Sequence, residues 1–73
     1  MRLTEIFGAN VRRVRKARGM TLETLATEAG LAYSYMGGIE RGQKNPSLNV
    51  AEKIAKVLES DPATLFCAPP KAK

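Results

Sequence analysis

Thr21-Leu-Glu-Thr-Leu-Ala26, broken at Gly30 and resumed as Tyr33-Ser-Tyr-Met-Gly-Gly-Ile-Glu-Arg-Gly42, is the stretch that decides the fold. Leu22, Leu25, Ala26 and Ala29 share one helical stripe, and beyond Gly30-Leu31 a second stripe of Tyr35, Met36 and Ile39 continues the apolar side. This spacing predicts two short helices joined by a tight turn. The second helix then turns Tyr33, Ser34, Gly37, Gly38 and Arg41 outward. Those residues are small or hydrogen-bonding, a surface able to lie against the floor of a DNA major groove. The pattern reads as a helix-turn-helix.

Upstream, Leu3, Ile6, Phe7, Val11 and Val14 repeat at helical spacing between Thr4, placed as an N-cap, and Gly19, a C-terminal stop. Thr21 stands where a capping hydroxyl belongs, and Gly30 where a helix end needs a left-handed backbone. The polar turn Gly42-Gln-Lys-Asn-Pro46 leads to Ser47, the cap of a fourth helix with Val50, Ala51, Ile54, Ala55 and Leu58 on its apolar face. Asp61-Pro62 opens a short fifth helix through Leu65 and Phe66, because proline is tolerated in a first turn. The expectation is one all-α, five-helix domain over residues 1–68, with 69–73 as a flexible basic tail. No strand pattern or internal repeat interrupts it.

A chain of 73 residues buries only roughly 60% of the surface that its unfolded form exposes. With one cysteine and no histidine, neither an internal disulfide nor a zinc cluster is available, so helix packing or self-association must stabilise it, and no metal or cofactor is expected. Twelve Lys and Arg against seven Asp and Glu favour a polyanionic partner. Residues 1–18 hold Arg2, Arg12, Arg13, Arg15, Lys16 and Arg18 against Glu5 alone, which concentrates the charge beside the helix pair. No window approaches the ~20 apolar residues of a membrane span, and the first residues are too short and acidic for a secretory signal, so a cytoplasmic location is expected. Cys67 fits that compartment as a small, semi-buried hydrophobe.

Gly19-Met-Thr21, Leu25-Ala26, Gly30-Leu31, Ile39-Glu-Arg-Gly42 and Asn45-Pro-Ser-Leu48 together resemble the Cro/C1-type (XRE) helix-turn-helix family, over residues 4–66. Tyr33-Ser-Tyr-Met-Gly-Gly-Ile-Glu-Arg41 is similar to the controller proteins of restriction–modification systems. The resemblance implies a lambda-repressor-like domain, a homodimer on a pseudo-palindromic double-stranded operator, helix three in the major groove, and the fourth and fifth helices near the dimer interface. Leu65 and Phe66 are the interface residues on that basis. Controllers that activate would also contact RNA polymerase. The resemblance further implies that Arg15 and Glu40 form a structural ion pair tying helix one to helix three.

Tyr33 and Ser34, in the first exposed turn of helix three, are the expected base readers: serine can bond several base edges, and tyrosine can use its hydroxyl or lay its ring on a thymine methyl. Thr21, at the positive end of helix two, is an expected phosphate contact as well as a cap. Tyr35 borders the core with its hydroxyl able to reach a phosphate, and a purely structural role fits equally well. Arg41, Gln43, Lys44 and Asn45 lie where a duplex backbone would pass, and are assigned to phosphates. Arg12 and Arg13 read by default as a solvated basic face. Gly37 and Gly38 depart from the family's long polar residues at a cost of about 2 kcal/mol relative to alanine, which points to close approach of helix backbone to bases or to positions needing no side chain. Ala32 also departs from the family's capping hydroxyl, weakening the start of helix three by about 1 kcal/mol.

Two functions of different kind fit: a sequence-specific transcription regulator, and an antitoxin-like or other protein-interaction module on the same fold. An enzyme is disfavoured, since the chain has no histidine, no nucleophile–base pair, no phosphate loop and no metal-ligand spacing.

Overall fold

Four of the five helices among the described residues stop where the backbone turns left-handed. A computed structural model describes residues 2–68 and holds α1 (Leu3–Ala17), α2 (Leu22–Ala29), α3 (Tyr33–Glu40), α4 (Leu48–Val57) and α5 (Pro62–Leu65), with no strand among the described residues. The tail expected at 69–73 lies outside them. Thr21 Oγ1 accepts from Thr24 N at 3.0 Å and Ser47 Oγ from Val50 N at 3.1 Å, so two of the expected caps hold, and Asp61 Oδ1 caps α5 by accepting from Ala63 N at 3.0 Å. The first helix differs. It begins one residue before Thr4, and Arg2 N donates to Glu5 Oε1 at 3.0 Å, so a carboxylate reaching back replaces the expected hydroxyl cap.

Helix ends repeat one device. After α3, Gly42 N bonds Ile39 O at 3.0 Å and Gln43 N bonds Gly38 O at 2.9 Å, the paired bonds of a Schellman motif, with Gly42 at φ +74°. α1 and α2 close likewise at Gly19 and Gly30. α4 closes with the same bonds, Glu59 N to Lys56 O at 3.1 Å and Ser60 N to Ala55 O at 2.9 Å, but its left-handed residue is Glu59, at φ +55°. A side chain there costs about 1–2 kcal/mol, part of which glycine would return as a larger unfolded-state entropy. Glu59→Gly is therefore expected to stabilise the protein by up to about 1 kcal/mol, read as a melting temperature higher by roughly 4–8 °C. The exposed Arg18–Glu59 pair at 3.1 Å, lost in that variant, offsets little of the gain. An unchanged or lower melting temperature would show that Glu59 is not strained.

The core is one cluster drawn from every helix. Phe7 and Val11 of α1, Leu25, Ala26 and Ala29 of α2, and Met36 and Ile39 of α3 are buried, joined by Ala51, Ile54 and Ala55 of α4, Leu58 beside it and Leu65 of α5. Each large apolar side chain sealed this way contributes about 1.5–3 kcal/mol. α3 packs between α1 and α2, α4 lies against α2, and α5 bridges α4 and α1. Two contacts in this arrangement have no counterpart in the sequence pattern. Gly8, in the middle of α1, sits so close to the end of α3 that a Cβ there would overlap the Ile39 carbonyl oxygen and lie 2.7 Å from that of Glu40. Asn10, only 1% exposed, donates through Nδ2 to Leu65 O at 2.9 Å and Cys67 O at 2.7 Å, fastening the chain after α5 to α1.

Two expectations about the C-terminal region are corrected. Leu65 is only 1% exposed within the protomer's own core, so its side chain has no surface left for a dimer interface. Phe66 is half-buried, its ring stacked on Phe7 at a centroid distance of 4.7 Å. Cys67 is exposed rather than semi-buried, because Asn10 holds the backbone of this turn and leaves the side chain outside.

Candidate nucleic-acid interface

The α2–α3 pair is held from behind by charge as well as by packing. Arg15 Nε donates to Glu40 Oε2 at 2.7 Å and its second terminal nitrogen to Oε1 at 3.1 Å, while Nη1 donates to Met20 O at 2.9 Å. The guanidinium thus ties α1 both to the entrance of α2 and to the end of α3. The side chains are 11% and 5% exposed, so this is a shielded, bidentate pair. The hydrogen bonds that Arg15 donates to Glu40 raise the Arg15 pKa above its ordinary value. A raised value means that the stabilisation is complete below the unfolded-state pKa and is lost only as pH climbs through the folded one, beyond the neutral range.

With Met36 and Ile39 as anchors, the first turn of α3 faces solvent: Tyr33 is 60% exposed and Ser34 is exposed. Ala32 occupies the N-cap with no side-chain bond, so the first amides of α3 have no capping acceptor. Tyr35 is half-buried and packs against the core. Thr21 is exposed, but its hydroxyl is engaged on both sides, accepting from Thr24 N and donating to Thr24 Oγ1 at 2.9 Å. A phosphate at this helix end would meet the first-turn amides of Leu22 and Glu23 more readily than that hydroxyl.

Gly37 and Gly38 depart from the outward, open surface expected of them. Both are buried, beneath long side chains that arrive from further along the chain. A Cβ on Gly37 would meet Arg41 Nη1 at 3.1 Å and Leu22 Cδ2 at 3.5 Å, and one on Gly38 would meet Lys44 Cγ at 2.7 Å. The wheel of α3 alone points these positions outward. The turn at Gly42, however, folds the loop back over them. Bases could touch the glycine backbone only if Arg41 and Lys44 swung away.

Arg41, Gln43, Lys44 and Asn45 are all exposed, with Arg41 Nε donating to Gln43 Oε1 at 3.1 Å. Arg12 joins them: it shares with Arg41 a shallow concavity floored by Leu22, Gly37 and Glu40. The sequence left Arg12 as part of a solvated face because its neighbours on this surface come from α2 and α3. Arg13 points elsewhere, donating to Asn10 Oδ1 at 3.3 Å.

Residues 11–65 match the family described as Helix-turn-helix (HTH_3). The chain belongs to that family. It is 43% identical over 62 residues to control protein C.BamHI of Bacillus amyloliquefaciens, covering 84% of this chain and 76% of that one. The solved restriction–modification controller protein C.AhdI of Aeromonas hydrophila superposes with a TM-score of 0.83 at 46% identity, over 86% of this chain and 96% of the other. The transcriptional regulator SinR of Bacillus subtilis is 41% identical over 84% of this chain, which spans 56% of SinR's length. A structure of SinR in complex with DNA matches with a TM-score of 0.79 at 39% identity, over 84% of this chain and 98% of that one.

Proposed function

We propose that this protein is a sequence-specific transcription regulator that binds operator DNA as a homodimer and, like its controller relatives, acts on restriction–modification genes. The observation that carries this reading is the solvent-facing first turn of α3, bearing Tyr33 and Ser34 and flanked by cationic and polar side chains from α1 and the loop after α3. Tyr33 and Ser34 read base edges. Arg41, Gln43, Lys44, Asn45 and Arg12 hold phosphates, as do the first-turn amides of α2 beside Thr21. Tyr35 adds a hydroxyl at the groove edge. Neither tyrosine nor serine discriminates strongly among bases, so the shape of the duplex shares in the selection, with sensitivity to base pairs at the operator centre.

Self-association has support in Leu48, 80% exposed, and Leu3, 56% exposed, which border one shallow depression with Pro46 and Phe66. This patch replaces Leu65 as the candidate dimer surface. No helix among the described residues is long and apolar enough to cross a membrane, and the proposed site of action is the cytoplasm.

Selection of bound duplexes from a random pool tests the reading. The expected product is a pseudo-palindrome whose half-sites are about one DNA turn apart, and Tyr33→Ala or Ser34→Ala should relax the preference at particular bases within each half. No enriched motif, or an identical motif from both variants, would refute readout by α3. A motif without two-fold symmetry would refute the dimer.

A further inference from the structure

We propose that Gly37 and Gly38 form a seat for the side chains of Arg41 and Lys44, so that loop-derived cations, rather than residues 37 and 38, supply the middle of the DNA-facing surface of α3. This rests on the DNA-binding reading above and assigns to Gly38 the role of a positioning residue acting through Lys44.

The geometry has three parts. The Schellman turn at Gly42 reverses the chain, with Gln43 N bonded to Gly38 O at 2.9 Å, and so returns residues 43 and 44 across the helix they have just left. The Lys44 stem then lies along Gly38: its Cγ, Cε and Cδ are 2.7, 3.2 and 3.5 Å from the place a Cβ would occupy. At Gly37 it is the head of Arg41 that lies nearest, with Nη1 at 3.1 Å and Cζ at 3.9 Å from the place a Cβ would occupy, and its Nε bond to Gln43 Oε1 at 3.1 Å steadies it. A lysine whose methylenes rest on apolar surface keeps its ammonium at the wet edge, where a phosphate can meet it. The missing Cβ atoms therefore make room for charge brought from outside the helix. An alanine at 38 would force the mid-stem of Lys44 outward, because the colliding Cγ lies near the fixed end of the side chain.

The test is a double-mutant cycle on Gly38→Ala and Lys44→Met, the second keeping a stem of similar bulk without the charge. Affinity for mixed-sequence duplex DNA is measured for the four proteins across a salt series. Lys44→Met is expected to weaken binding by about tenfold at ~100 mM salt and to reduce the salt slope by about 0.9, the share of one phosphate. Gly38→Ala should reproduce a large part of both losses although it removes no charge, and should add nothing further in the Lys44→Met protein. Thermal melting of Gly38→Ala should be unchanged or higher, since alanine favours the helix, which separates lost binding from lost folding. Full affinity in Gly38→Ala, or losses that simply multiply in the double variant, would overturn the proposal while leaving DNA binding intact. Absence of salt-dependent binding by the unaltered protein would overturn the DNA-binding reading and this proposal with it.

Discussion

Replacing Arg15 with alanine is expected to destabilise the fold by about 3–5 kcal/mol, because the carboxylate it leaves behind is buried without a counter-charge. The Glu40 side chain is 5% exposed and its two oxygens accept from Arg15 at 2.7 and 3.1 Å. The same substitution frees the Met20 carbonyl, which Arg15 Nη1 holds at 2.9 Å, so the entrance to α2 loosens together with the end of α3. Arg15→Lys should recover only part of the loss, since an ammonium cannot form the forked contact and reach Met20 as well. The double variant Arg15→Met, Glu40→Leu removes both charges at similar bulk and is expected to return to within about 1–2 kcal/mol of the native protein. Denaturant melts of these proteins give the coupling directly. A loss under about 1 kcal/mol for Arg15→Ala would mean that water reaches the carboxylate and that the pair behaves as a surface one.

Gly8→Ala is the second large effect, about 3 kcal/mol of destabilisation, despite alanine being the better helix former by about 1 kcal/mol. The added methyl would press on the Ile39 carbonyl oxygen and on the Glu40 carbonyl, whose oxygen is 2.7 Å and carbon 2.9 Å from it. These are backbone atoms and cannot rotate aside, so α1 and α3 must separate. That displacement would also stretch the Arg15–Glu40 contact, which spans the same two helices. A fall in melting temperature on the order of 15 °C is expected for a domain of this size. Gly37→Ala is the control, because its new methyl meets mainly the movable Arg41 side chain at 3.1 Å. Equal melting temperatures for the two variants would show that the α1–α3 approach yields easily.

Local chemistry made most of the architecture readable. Thr21, Ser47 and Asp61 cap within three residues of themselves, and Gly19, Gly30 and Gly42 turn the chain within a few more, so their roles are written in short windows. The Arg15–Glu40 pair, separated by 25 positions, was legible only through likeness to a family. Gly8 and Asn10 carried no signal at all. The partners of Asn10 lie 55 and 57 residues away, and a lone asparagine or glycine in a helix announces nothing about what packs against it. The misreadings have the same origin. The wheel of α3 turns Gly37 and Gly38 outward because it knows nothing of the returning loop, and the family likeness places Leu65 near a dimer interface without showing the pocket that it fills.

Tyr33 and Ser34 protrude from a helix whose grip on the rest of the molecule comes from Met36, Ile39 and Glu40. On the proposed reading, target preference and foldedness are thereby delegated to different side chains of the same two turns. Exchanging the protruding pair should redirect the protein toward other sequences at little cost in stability, so that a single scaffold can be re-addressed.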